Sequence, residues 1–432
     1  MLKYEHEIRD PIHVFIRLDS AERKVLDSQP FQRLRRIHQL ALTYLVYPGA
    51  THRRFEHSVG VMELASRVYD IVTNPDNIHD SVREIIPKKN SFDDLLWRRV
   101  LRMAALCHDI GHLPFSHAAE KELLPDHWDH ERLGIEIIRS DELTNIWNKL
   151  GIDADKVAKL SVGPENYRDA VFTDWEVILS EIIVGSSFGV DRIDYVLRDS
   201  YHAGVAYGKF DHYRLLDSIR ILPLDIDGST EPTLGIEFGG LESAEALLWA
   251  RYLMHSQVYY HPVRRIYDIH LKDFLKEWLD GGVFPTETRK HLRSSDDEII
   301  VAMHEIANNP SHGGHDPASR IIGRGHYKVL YERNPEDMAK NLEAGEAIYR
   351  AACEEFSPAM VRHDSHTDKS VGESFPVITR DGRVMSSLSM SETLNRLPVI
   401  AMDYVFIAPE LKEKAQSWLR QHRQHILTEV RR

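Results

Sequence analysis

Apolar residues recur at three- and four-residue steps through most of the first 330 positions, which predicts a helical main body. Asp19 with Glu22 three places on reads as a capping box opening a helix through Leu26. Pro30 interrupts, and Phe31, Leu34, Ile37 and Leu40 resume the period as a second short helix. Tyr44 to Tyr47 is a brief apolar run ended by a turn at Pro48 and Gly49. A helix then begins at His57, with Val61, Ala65, Val68 and Val72 on one side. Residues 74 to 94, with Pro75 and Pro87, read as a surface connection. Leu95 to Cys107 makes the next buried helix, which His108 and Asp109 finish and Gly111 stops.

The signal then changes. From Pro223 to Gly240 turns and short β-prone pieces mark an excursion from the helical body, after which a long helix runs to a stop before Pro262. Asn308 to Pro317, rich in Gly, Pro, Asn and His, reads as a loop. Phe375 to Thr379, Arg383 to Ser386 and Pro398 to Ile407 alternate like strands, with Asp381-Gly382 as a hairpin turn. A helix from Glu410 to about His425 follows. The expected fold is mainly α, with a helical core over residues 1–330 and a small C-terminal α+β lobe over residues 331–432. There is no internal repeat and no low-complexity tract.

With 42% hydrophobic and 28% charged residues, the composition is that of an ordinary globular protein and excludes collagen-like or disulfide-stapled classes. No window approaches the roughly 18 apolar residues of a membrane span, and the opening MLKYEHEIRDP lacks the apolar stretch of a secretory signal. The expected location is the cytoplasm, with no membrane partner. Cys107 and Cys353 are too few for a disulfide framework or a thiolate zinc site. A net charge of −13 repels nucleic acid except at a local basic pocket, so any polyphosphate site must be concentrated.

The histidines are unevenly placed: His108, His112, His117, His127 and His130 crowd one short stretch. Adjacent residues on a helix point about 100° apart, so the imidazole of His108 and the carboxylate of Asp109 can converge on one ion. Ligands from other helices would complete a nitrogen and oxygen site suited to Mn, Fe, Zn or Mg. Further on, Asp191, Tyr195 and Asp199 fall at steps of four with Arg192 beside them, and Arg251, His255 and Tyr259 repeat the spacing. A solvated helix face gives the same pattern, but aromatic groups beside arginine suit a base and phosphates.

The strings RDPIH (Arg9 to His13), FQRLRRIHQL (Phe31 to Leu40), YPGATHRRFEHSVGV (Tyr47 to Val61), LCHDIGHLPFSH (Leu106 to His117), WDHE (Trp128 to Glu131) and VDRIDYVLRD (Val190 to Asp199) resemble the HD-domain deoxynucleoside triphosphate triphosphohydrolases. The resemblance implies a divalent metal held by His57, His108, Asp109 and Asp191. It also implies attack of water on the α-phosphorus, releasing a deoxynucleoside and inorganic triphosphate. His117 is then the acid or nucleophile-positioning residue, with Glu120 and His130 tuning it and His112 as a phosphate-side or supporting group. Arg54, Arg192 and Arg251 match positions that hold the triphosphate. Gln39, Tyr195 and Asp199 match the sugar side, and His255 and Tyr259 the base end. Asp27, Gln32 and Arg35, with Arg324 and Lys328, match a guanine-reading regulatory site between subunits, which implies a nucleotide activator and a homo-oligomer, dimer or tetramer. Where vertebrate members of that family have lysine this chain has His6 and Arg192, and Tyr260 stands in place of the family's usual glutamine. Two rival functions share these features: an HD-domain nucleotidase or phosphodiesterase of other specificity, and a nucleotide-sensing or single-strand nucleic-acid-binding protein without turnover.

Overall fold

The computed structural model describes residues 5–116, 120–226, 229–368 and 374–428. In chain order the principal elements begin with β1 (His6–Asp10), β2 (Val14–Leu18), α1 (Glu22–Leu26), α2 (Arg54–Val72), α3 (Phe92–Cys107), α4 (His130–Ile138), α5 (Asp141–Leu150) and α6 (Ala154–Asn166). Next come α7 (Asp174–Val184), α8 (Val190–Ala203), α9 (His212–Ser218), β3 (Ile219–Ile226), β4 (Ser229–Glu237), α10 (Leu241–Met254), α11 (Pro262–Trp278), α12 (Asp296–Ile306) and α13 (His315–Ile322). The chain closes with β5 (Lys328–Glu332), α14 (Ala344–Phe356), β6 (Val361–Asp368), β7 (Pro376–Ile378), β8 (Val384–Ser386), β9 (Ile400–Ile407) and α15 (Lys412–Thr428). Among the described residues no helix is long and apolar enough to cross a membrane.

The chain divides into two compact units: Met1–Arg251 with Phe284–Glu298 and Gly372–Leu397, and Tyr252–Val283 with Ile299–Val371 and Pro398–Arg432. The mainly α fold with small sheets is as expected. The units, however, do not coincide with spans 1–330 and 331–432, because the chain passes from one unit to the other more than once.

In the first unit, α2 and α3 form the centre. Leu64, Ala65, Val68, Leu101, Ala104 and Ala105 are fully buried, and Leu160, Ile178, Leu179, Ile182 and Ile193 from α6, α7 and α8 join the same core. Each large aliphatic side chain so buried contributes about 1.5–3 kcal/mol relative to exposure. The expected box at the start of α1 forms: the Glu22 amide donates to Asp19 Oδ1 at 2.7 Å, and the Asp19 amide to Glu22 Oε2 at 3.0 Å. The helix expected from His57 starts three residues earlier, where the Arg53 amide donates to Glu56 Oε1 at 2.8 Å. At the end of α8 Gly204 takes φ +73°, the left-handed stop that a side chain would strain.

The β-prone stretch after Pro223 is the antiparallel pair β3 and β4, in register from Ile219 opposite Ile236 to Ile226 opposite Ser229. β7 joins β4 in parallel, and β8 pairs antiparallel with β7 through the expected turn, with Gly382 at φ +82°. This hairpin therefore belongs to the first unit's sheet and not to a C-terminal lobe, because alternation reveals a strand but not its neighbour.

In the second unit β9 lies centrally between β5 and β6, both antiparallel to it. Ile348, Ala352 and Phe356 of α14 and Ala415, Leu419 and Leu427 of α15 form a core with Val405 and Ile407 of β9. The expected loop Asn308 to Pro317 is helical from His315, and the long helix expected before Pro262 ends at Met254, followed by a π-helical turn over His255–Tyr259.

Candidate active site

Three separated stretches of the first unit bring four ligand-type side chains together. His57 lies in the first turns of α2, His108 directly follows α3 with Asp109 next to it, and Asp191 stands in the first turn of α8. His57 Nε2 is 3.0 Å from Asp191 Oδ1 and 3.7 Å from Asp109 Oδ2. His108 Nε2 is 3.5 Å from Asp191 Oδ1 and 3.3 Å from Asp109 Oδ1. His57 and His108 are buried and Asp191 is partly open, which leaves an approach on one side.

Both imidazoles are prepared for a cation. The Nδ1 of His108 is 2.8 Å from the Ala105 carbonyl, which makes it the protonated nitrogen. Its buried Nε2 has no hydrogen-bond partner. His57 Nδ1 is held at 2.8 Å by Asp194 Oδ2, so its Nε2 also faces the centre. His57, His108 and Asp191 offer ligand atoms close enough to hold one ion, with Asp109 beside His108. Two imidazoles with a carboxylate suit a divalent ion of intermediate softness, the kind of metal that HD domains require. Burial alone would raise the Asp109 carboxyl, but Arg54 and the neighbouring histidines hold it well below the usual range. Burial opposes the charged form of His57 too, yet Asp191 and Asp194 push it up to about 10, so a cation at Nε2 must displace a proton.

Beside this centre lies a second group. The rings of His112 and His130 stack with centroids 3.9 Å apart, and His130 Nδ1 is 2.6 Å from Glu120 Oε1. Burial, then Arg54 and His130, pushes His112 well below the ordinary imidazole value. His130 meets the same burial but is raised to about 8 by Glu120. Two stacked imidazoles thus differ in charge at neutral pH, the arrangement expected of separate acid and base roles. The ligand atoms of His112, Glu120 and His130 also lie close enough to hold a metal ion. His117 lies outside the described residues.

Arg54 Nη1 is 2.5 Å from Asp109 Oδ2 and its Nε donates to Ser116 Oγ at 2.7 Å. Gln39 is brought beside it because the Gln39 amide donates to the His52 carbonyl and the Arg54 amide to the Ile37 carbonyl, both at 3.0 Å. The buried Gln39 Oε1 has no protein partner. On α8, Tyr195 has Arg251, Arg192, Asp191 and Asp199 as its charged neighbours, and burial raises its hydroxyl pKa. Arg192 Nη1 donates to the Gly185 carbonyl at 2.9 Å. His255 and Tyr259 belong to the second unit, where their rings meet edge to face at 4.9 Å.

Asp27 and Arg35 line a cleft of about 460 Å³ in the first unit, with His6, Arg9, Arg23 and Phe55. Arg35 Nε donates to Gln32 Oε1 at 3.0 Å, and its guanidinium lies 3.4 Å over the Phe55 ring. Arg324 and Lys328 are in the second unit, where Lys328 Nζ is 3.2 Å from His326 Nε2.

Several supporting residues escaped the sequence reading. His52 Nε2 holds Asp199 Oδ1 at 2.7 Å. Asp296, fully buried, accepts from the His38 amide at 2.7 Å and from the Phe115 amide at 2.8 Å. It anchors a turn in which Phe115 and Ser116 both adopt left-handed φ, 54° and 50°. Arg33 Nη2 donates to the His112 carbonyl at 2.8 Å. Gly111, read from the sequence as a helix stop, has a further role the sequence did not announce: a Cβ there would lie 2.1 Å from the His130 carbonyl oxygen. The partners in these contacts are far apart in sequence, and no local pattern announces them.

The HD domain matches residues 54–161, and the HD-associated region matches residues 210–357. An uncharacterized protein of Methanocaldococcus jannaschii is 36% identical over 303 residues, covering 70% of this chain and 55% of that protein. Deoxynucleoside triphosphate triphosphohydrolase SAMHD1 of Bos taurus is 31% identical over 327 residues, covering 70% of this chain and 52% of that protein. The chain thus spans roughly half of the length of such relatives. Among solved structures, a hypothetical protein from Aquifex aeolicus has a TM-score of 0.77 at 30% identity, covering 96% of this chain and 99% of that one. A phosphohydrolase from Bacteroides thetaiotaomicron, at 22% identity and a TM-score of 0.69, shares the fold. With the His-Asp pair that follows α3 and its two remote partners set in the matched HD region and in a helix after it, the chain belongs to the HD-domain phosphohydrolase family.

Proposed function

We propose that this protein hydrolyses deoxynucleoside triphosphates to deoxynucleoside and inorganic triphosphate. The observation that carries the reading is the convergence of His57, His108 and Asp191, with Asp109 beside them, next to the stacked pair His112 and His130. A divalent metal held by the four ligands would lower the pKa of a water and neutralise phosphoryl oxygens. Arg54, Arg192 and Arg251 bind and orient the triphosphate through forked donors. His112, kept neutral by burial, can accept a hydrogen bond from the attacking water. As water oxygen bonds to the α-phosphorus, the bond to the 5′ oxygen breaks and that oxygen takes a proton. We assign this proton to His117, with Glu120 and the charged His130 orienting and tuning the acid. Gln39 and Asp199 bond the sugar hydroxyl and Tyr195 crowds a 2′ hydroxyl, while His255 and Tyr259 serve the base. A nucleotide activator bound by Asp27, Gln32 and Arg35, with Arg324 and Lys328, would couple to a homo-oligomeric state.

The test is a panel of dNTPs and NTPs, singly and in mixtures, with Mn or Mg and chromatographic separation of products. Inorganic triphosphate with a deoxynucleoside supports the reading, and hydrolysis confined to mixtures exposes the activator. Release of phosphate or pyrophosphate instead would replace it by a nucleotidase or phosphodiesterase, and no turnover by a nucleotide sensor. Tyr195→Ala is expected to lower the dNTP to NTP preference by about tenfold, as for the loss of one well-packed contact. An unchanged ratio would place the sugar gate elsewhere.

A further inference from the structure

His57 can aim Nε2 at the centre only while its other nitrogen is held from behind, and the group that holds it belongs to a larger buried assembly. Asp194, fully buried, accepts from His57 Nδ1 at 2.8 Å and Arg198 Nε at 2.8 Å on one oxygen. Its other oxygen meets His13 Nε2 at 2.6 Å and Arg198 Nη2 at 3.0 Å. A carboxylate offers about four lone-pair sites, so all are filled. Arg198, also fully buried, reaches on through Nη1 to Asp10 Oδ2 at 2.8 Å. Asp10 Oδ1 in turn accepts the Ile12 amide at 2.9 Å and the His13 amide at 2.8 Å, closing the turn between β1 and β2.

Two further observations set this assembly apart from an ordinary buried ion pair. Val14, next to His13, takes φ +67°, a genuine outlier for a β-branched residue, so the turn holds a strained conformation where His13 points inward. Gly60, one turn beyond His57 on α2, would place a Cβ 2.1 Å from Asp194 Oδ1, so bare backbone there admits the carboxylate.

We propose that Asp194 and His13 are positioning residues: with Arg198 and Asp10 they lock the His57 ring so that Nε2 is presented to the metal. The proposal rests on His57 being a metal ligand. A metal-ligating imidazole held by a carboxylate binds more tightly, and loss of such a partner costs about 10–100-fold in metal affinity.

The test uses the full chain, stripped of metal and titrated with Mn(II), together with the visible spectrum of the Co(II) form. Asp194→Asn and His13→Ala are each expected to weaken Mn(II) binding by about 10–100-fold and to alter the Co(II) ligand-field bands. His13→Gln, whose amide can still donate to Asp194, restores both. Should Asp194→Asn fail to fold with Arg198 left unpaired, the two His13 variants decide. Wild-type affinity and an unchanged Co(II) spectrum in His13→Ala overturn the proposal, and so does equal weakening in His13→Gln. If His57→Ala binds Mn(II) as tightly as the wild type, the metal-ligand reading itself fails.

Discussion

Asp109 serves several groups at once: its Oδ1 faces His108, while its Oδ2 faces His57 and neutralises buried Arg54. Asp109→Ala is expected to abolish triphosphate release and to cost about 3–5 kcal/mol in denaturant unfolding, since a buried guanidinium loses its counter-charge. His130 gives a pH signature. Its raised value of about 8 means that the charged form persists at neutral pH and is lost above that value. If that charge supports proton delivery, the rate falls as pH rises through about 8, and His130→Gln removes this limb from the pH profile. The residues behind these predictions were legible because HD and its flanking strings keep their spacing. Asp194 was not, because its partner His13 stands 181 positions away and nothing in the local spacing points to it.

Among the elements, helices were easier to read than their ends. The period marked α2 and α3, but the start of α2 is set by Glu56 reaching back to Arg53, a cap outside the usual Ser, Thr, Asp and Asn set. Strands β7 and β8 were legible from alternation and the Asp381-Gly382 turn. β6 was not, because VRHDSHTD has a largely polar face at a sheet edge. The turn before residue 117 depends on an element far along the chain, since Asp296 at the start of α12 holds the Phe115 amide. Asp296→Asn presents an amide donor among the three donors that carboxylate now accepts, His38 N, His38 Nδ1 and Phe115 N. We expect kcat to fall about tenfold, from the misplacement of groups on that turn, with Mn(II) affinity unchanged. A parallel loss of Mn(II) binding would show that Asp296 supports the whole centre instead.

For the whole molecule, there is a physical reason why the compact units cross the expected boundary at residue 330. A break in periodicity marks where helices give way to strands, but which strands share a sheet depends on pairing across long sequence separations. β4 is completed by β7, and Phe375 beside it stacks edge to face on Phe188 at 4.6 Å. A chain cut after residue 330 would therefore leave β4 with a bare edge. Such a fragment is expected to run as aggregates on size exclusion, and a monodisperse fragment with wild-type metal affinity would contradict this.

The same separation has a consequence for biosynthesis. Chains are made from the amino end at about 5–20 residues per second, so β4 waits roughly seven to thirty seconds on the ribosome before its neighbour is translated. During that interval the nascent first unit carries its ligand histidines but has an open strand edge. Chaperones that shield such edges would be the natural escorts of this polypeptide, and recombinant yield should improve under slow, cool induction.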